Sequence, residues 1–223
     1  MTSAQIYRVS GLALVTGAIL SVISSVLDGV LFPMNDPSAA MNPLNVALSA
    51  IGVVGTVLAL LGLPGIYARS ARQGGTLWLA GVVLIAITGM LFGVFMGLMG
   101  TLVFPALASA APGMFSQGPP PSFLALFVIG TLANLLGALG MGIPMLSRRL
   151  YPRWCGYLMI LEAVLAALSF FVQGLGDSAI GVILNVISPL PLFIVLGWAG
   201  YQLWSRPESE VAQVPTRVAP QPA

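Results

Sequence analysis

Glu162 is the costliest side chain in this sequence to place. It stands eight residues beyond Trp154 inside the apolar run 154–172. At ~1.5 Å per residue its carboxyl falls about 12 Å into that run, near the centre of a ~30 Å hydrocarbon layer. An ionised carboxylate at that depth costs about 2.5–3.5 kcal/mol on insertion scales. The topology brings no Arg within reach, so the carboxyl is expected to be protonated and hydrogen-bonded to a polar side chain. Asn134, in the preceding apolar run, is the expected partner. Such a group is either a polar intramembrane site or a neutral bridge between two helices.

Asp28 is the second acid that could serve a site. Ser21, Ser24, Ser25 and Asp28 make a polar stripe at helical spacing near the end of the first apolar run. Asn45, Gln173, Asn185 and Ser188 fall at similar depth in other runs. Were these faces to converge, Ser25, Asp28 and Asn185 would line a shallow cavity, with Asn134 and Glu162 beneath it. The simpler alternative has Asp28 reaching water at the headgroups.

Other chemistries are poorly served. The chain has no His, which removes the commonest general acid/base and zinc ligand together. The single Cys, Cys155, excludes an internal disulfide. No Gly-rich phosphate loop is present, and Asp28 and Glu162 differ in depth by ~10 Å, too far for a paired acid/base site. Neither a catalytic residue nor a metal site or cofactor is expected, and the balance leans away from an enzyme.

The elements that must position these groups are membrane helices. Of 223 residues 58% are hydrophobic and 6% charged, and mean hydropathy is +1.01. A soluble domain carries roughly a quarter charged residues, so the expected fold is an all-α polytopic membrane protein. Six runs, 10–32, 44–63, 77–103, 122–146, 154–172 and 180–203, are each long enough to cross a bilayer. All eight basic residues are Arg, clustered before the first run, between the second and third, between the fourth and fifth, and after the sixth. Under the positive-inside rule this predicts one six-helix bundle with both termini cytoplasmic, in a plasma (inner) membrane. The net charge of +2 belongs to that membrane face and carries no nucleic-acid signal. Abundant Ala, Gly, Pro and Arg without Lys suits a GC-rich bacterial source. The Trp and Tyr residues all fall at the same predicted ends, as expected of rings that prefer the headgroup level. Residues 205–223, polar and rich in Pro, are expected to form a disordered cytoplasmic tail. A short repeat, Gly62-Leu63-Pro64 before Arg69 and Gly142-Ile143-Pro144 before Arg149, recurs at an offset of 80.

Small residues recur at every fourth position: Ala13, Gly17, Ser21, Ser25 and Gly29 in the first run, and Gly89, Gly93 and Gly97 in the third. Such stripes let backbones approach closely in lipid, where packing drives helix association. They are expected to pack inside the bundle or to dock a second membrane protein or another copy. In span count, orientation and the Ala13/Gly17 spacing the plan is similar to the substrate-binding subunits of energy-coupling-factor importers. That likeness implies a small-molecule ligand and a docked partner, and it includes no substrate motif. The sequence thus points first to a small-molecule transport or ligand-binding membrane subunit. The alternatives are a non-transporting scaffold and, less favoured, an intramembrane lipid-modifying enzyme.

Overall fold

A computed structural model describes residues 3–32, 37–111, 121–172 and 179–205. Asp36, Phe115, Gln173, Asp177, Arg206, Arg217 and the tail at 206–223 lie outside the described residues. The described residues form α1 (Ser3–Leu31), α2 (Pro37–Ala40), α3 (Pro43–Thr88), α4 (Met96–Leu98), α5 (Phe104–Ala110), α6 (Pro121–Ser147), α7 (Arg153–Val172), α8 (Ala179–Ile187) and α9 (Leu190–Ser205), with no strand among them. From α3 to α5 the chain keeps winding through two wider π-helical stretches, Gly89–Phe95 and Met99–Val103. Five helical stretches among the described residues are long and apolar enough to cross a membrane, and the molecule is an all-α membrane protein. The longest, Pro43–Ala110, has 68 residues, over three times what a ~30 Å core requires.

That stretch folds back on itself at Gly75. Gly75 has φ 67° and ψ −170°, a region essentially restricted to glycine. The two arms then run antiparallel: a Cβ built on Gly97 would touch Val53, one on Gly93 Thr56, and one on Gly89 Leu60. Gly17 of α1 lies against Gly55 and Ala59, Gly81 of α3 against Gly140 and Met141 of α6, Gly142 of α6 against Gly156 and Met159 of α7, and Gly11 of α1 against Gly200 and Trp204 of α9. Residue numbers rise on one side of each pair as they fall on the other. Neighbouring segments are therefore antiparallel and close into a ring.

The distribution of side chains is that of a bundle in lipid. Ile19, Val54, Leu61, Val83, Ile129, Leu136, Leu168 and Ile183 are exposed along the helices, while Ser21, Ser24, Ser70, Thr88, Glu162 and Ser169 are buried. With hydrocarbon outside, backbone and side-chain polar groups must be satisfied within the protein. Accordingly Ser24 donates to the Leu48 carbonyl across α1 and α3 at 2.8 Å, and Thr88 and Thr131 donate to the carbonyls of Leu84 and Phe127 one turn back.

The antiparallel order brings the start of α1, the Gly75 turn and the α6–α7 turn to one end of the bundle. Ser10 packs on Gly65, and the Arg148 guanidinium donates to the Gln73 carbonyl at 2.6 Å, tying two turns together. All six described Arg residues (Arg8, Arg69, Arg72, Arg148, Arg149, Arg153) belong to these segments. Trp154, Trp198, Tyr201 and Trp204 form a partly exposed aromatic chain nearby, with ring centroids 5.3–6.3 Å apart. Trp78 also lies at this end, but inside the protein. It is fully buried, stacked 6.1 Å from Tyr151, which is buried as well. The turn at Gly75 folds Trp78 back toward α6 and the α6–α7 turn, where it is part of the core.

The final apolar run is also interrupted. The sequence reads as one helix over 180–203, but α8 ends at Ile187 and α9 begins at Leu190. Pro189 and Pro191 have no amide hydrogen, so two rungs of the helical ladder are missing. Broken helices at membrane depth are tolerated where they are buried in protein or line a cavity.

Candidate functional site

Asn134 stands at the midpoint of α6 and Glu162 at the midpoint of α7. Antiparallel packing of these helices, made close by Gly142 and Gly156, brings the two side chains together. Asn134 Nδ2 donates to Glu162 Oε1 at 2.5 Å. Glu162 is 1% exposed. The contact is made at one point only: Glu162 Oε2 and Asn134 Oδ1 are both buried without a hydrogen-bond partner among the described residues. A carboxyl and an amide can close a ring with two hydrogen bonds, and here the second is not made.

Beside the pair lies a cavity of about 350 Å³. That is within the size range of small-molecule sites, which are mostly apolar with a few placed polar groups. Its wall combines Thr56 and Leu60 from the first arm of α3, Ile85 and Thr88 from the second, Gly89, Phe92 and Gly93 from the π-helical stretch, Phe127, Thr131 and Asn134 from α6, Glu162, Ala166, Ser169 and Phe170 from α7, and Asn185, Ser188, Pro189 and Phe193 from the broken last run. π-helical turns inside α-helices are found disproportionately at functional sites, and here one forms part of the wall. Ser169, two turns beyond Glu162 on the same face, is 8% exposed, and its hydroxyl has no partner among the described residues.

Of the residues expected to form a site, Asn134, Glu162 and Asn185 share this cavity, together with Ser188. Asp28 and Ser25 do not. Both are half-buried on α1, which contributes nothing to the wall. The serine stripe of α1 faces α3 instead: Ser24 bonds to Leu48, and Ser21 and Ser24 sit over Gly55 and Gly52. Asn45 bonds to the Ala39 carbonyl at 2.9 Å, and Gln173 is outside the described residues. Asp28 and Ser25 thus lie apart from the cavity that Asn134, Glu162 and Asn185 share.

The small-residue stripes are used within the chain. Gly17 and Ser21 pack on the first arm of α3, Gly29 on Val186, and Gly89, Gly93 and Gly97 on Leu60, Thr56 and Val53. Ala13 is half-buried. Sequence reasoning missed the contribution of the phenyl rings. Phe92 and Phe127 have centroids 5.3 Å apart, and Phe127 and Phe170 stack at 6.5 Å with planes 14° apart. A Phe every few residues in an apolar run carries no signal of its own.

Among the described residues no group of three or more His, Cys, Asp or Glu could hold a metal ion. Comparison with protein families, with curated proteins and with solved structures gives no match.

Proposed function

We propose that this chain crosses a bacterial inner membrane six times, with both termini in the cytoplasm, and binds a small, mostly apolar molecule near the bilayer midplane as a ligand-binding or transport-type subunit. The six crossings follow from counting the arms of the Gly75 hairpin separately, since each exceeds ~30 Å at ~1.5 Å per residue. The orientation follows from the gathering of the described Arg residues at one end. In a Cys155→Ser background, Arg72→Cys should label from the cytoplasmic side and Ser109→Cys from the other. Labelling of both from one side would overturn the threading.

One observation carries the binding reading: an apolar cavity of about 350 Å³ whose wall includes a buried carboxyl with an oxygen left unpartnered. A carboxyl that served only as a neutral bridge between α6 and α7 would need neither a cavity beside it nor an unpartnered second oxygen. The test is thermal unfolding of purified protein in detergent against a panel of small amphiphiles. At least one compound should raise the melting temperature by several degrees. Ala166→Phe, which places a ring in the cavity, should remove that shift. A panel without effect on the wild-type protein would count against the reading.

A scaffold role is the second reading. A groove of about 420 Å³ on the outer face of α1 and α9, floored by Ala18 and Gly197 beside Trp198, suits an added helix or an acyl chain. On that reading the same panel has no effect.

A further inference from the structure

We infer that the cavity's ligand is a lipophilic organic amine, held by Glu162 as its ammonium ion. The inference rests on the binding reading above and specifies it.

Four features of the wall lead there. Among the described residues Glu162 is the sole ionisable one in the wall, and none of the described Arg residues lines it. The buried polar atoms without partners among the described residues include Glu162 Oε2, which carries the proton of the neutral carboxyl and becomes an acceptor once that proton is given up, Asn134 Oδ1, an acceptor, and the Ser169 hydroxyl, which accepts or donates. Three of the wall's donors are used within the protein: Asn134 Nδ2 serves Glu162, and the Thr88 and Thr131 hydroxyls serve backbone carbonyls. A ligand that takes up the carboxyl proton and then donates to both oxygens fits this set. Four phenyl side chains, Phe92, Phe127, Phe170 and Phe193, also line the cavity, and aromatic rings attract cations. An anion would meet acceptors and a carboxyl. An inorganic divalent ion would find one carboxylate where it needs several oxygen ligands.

Protons balance without an outside reactant. An amine crossing the lipid uncharged takes the Glu162 carboxyl proton onto its nitrogen. The product is an ammonium–carboxylate pair with unchanged total charge. Its N–H groups have Glu162 Oε2 and Asn134 Oδ1 as acceptors, the two oxygens left without partners. Because Glu162 is almost wholly buried, a small rotation of its side chain toward the cavity accompanies binding.

The experiment compares phenylbutylamine with phenylbutanol, which differ mainly in the ammonium group, by thermal shift and equilibrium binding to the full chain in detergent. The amine is expected to bind the wild-type protein at least about tenfold more tightly than the alcohol, and Glu162→Gln to abolish that preference. Gln retains an oxygen to accept from Asn134. Should Glu162→Gln not fold, the amine preference of the wild type decides. Equal binding of the two probes, or an amine preference that survives Glu162→Gln, overturns the amine inference and leaves the binding reading standing. Binding of neither probe overturns the amine inference, and the binding reading then depends on the wider panel.

Discussion

Gly81→Leu is expected to abolish the folded bundle. A Cβ on Gly81 would lie 2.5 Å from the carbonyl carbon of Gly140 and 2.6 Å from the amide nitrogen of Met141. A Cβ on Gly140 would in turn lie 2.9 Å from Gly81 Cα. These neighbours are backbone atoms, so no rotamer change can relieve the contact. The second arm of α3 and α6 would have to part. Overpacking among side chains typically costs 1–3 kcal/mol, and this contact, lacking that relief, should exceed about 3 kcal/mol. In lipid the loss is not offset by hydrophobic reassociation, because packing itself holds the helices together. Separation would also split the cavity wall, which draws on both helices. The expected result is no monodisperse protein in detergent. Gly197→Ala is the control: its new Cβ would find only Ala18 at 3.5 Å, and its melting temperature should match the wild type. If Gly81→Leu melts within a few degrees of the wild type, the close approach of α3 and α6 is wrong.

Gly81 also marks a limit of what the sequence reveals. A run of small residues at every fourth position is visible along one helix, which is why Gly17 and Gly93 could be assigned to contact faces. Gly81 is flanked at that spacing by Leu77 and Ile85. Its importance comes from Gly140 on another helix, and pairings between helices leave no mark on the period of either one. The serine stripe of α1 illustrates the same gap differently. Its spacing put Ser21, Ser24 and Ser25 near one face, but a packing seam and a cavity wall both favour small polar residues. Only the register of α1 against α3 decides, and it places Gly52 and Gly55 beneath the serines. The pairing of Glu162 with Asn134 was legible because a carboxyl at that depth demands a partner and few polar side chains lie at the same level. The break between α8 and α9 was less so. Pro189 and Pro191 interrupt the backbone ladder, while hydropathy continues through them undisturbed.

The Glu162–Asn134 pair can be made to reveal whether it serves stability or a ligand. Asn134→Leu removes the donor from Glu162 Oε1 and leaves a carboxyl buried without any partner among the described residues. Leaving a buried polar group unsatisfied costs about 1–3 kcal/mol, and the variant should unfold correspondingly earlier. Replacing both members together, as Glu162→Met with Asn134→Leu, removes the desolvation problem rather than exposing it. Substituting apolar side chains for a buried polar pair is often neutral or stabilising. The double variant is therefore expected within about 1 kcal/mol of the wild type, or above it, so the two substitutions are strongly non-additive. Thermal and denaturant unfolding of the wild type, Asn134→Leu, Glu162→Met and the double variant in one detergent measures this directly. A neutral bridge retained for strength would give the opposite result, with the double variant at least as unstable as Asn134→Leu alone. Should stability survive the double replacement while the amine-induced shift disappears, packing no longer explains why a carboxyl is kept at the middle of α7, and recognition of a ligand does.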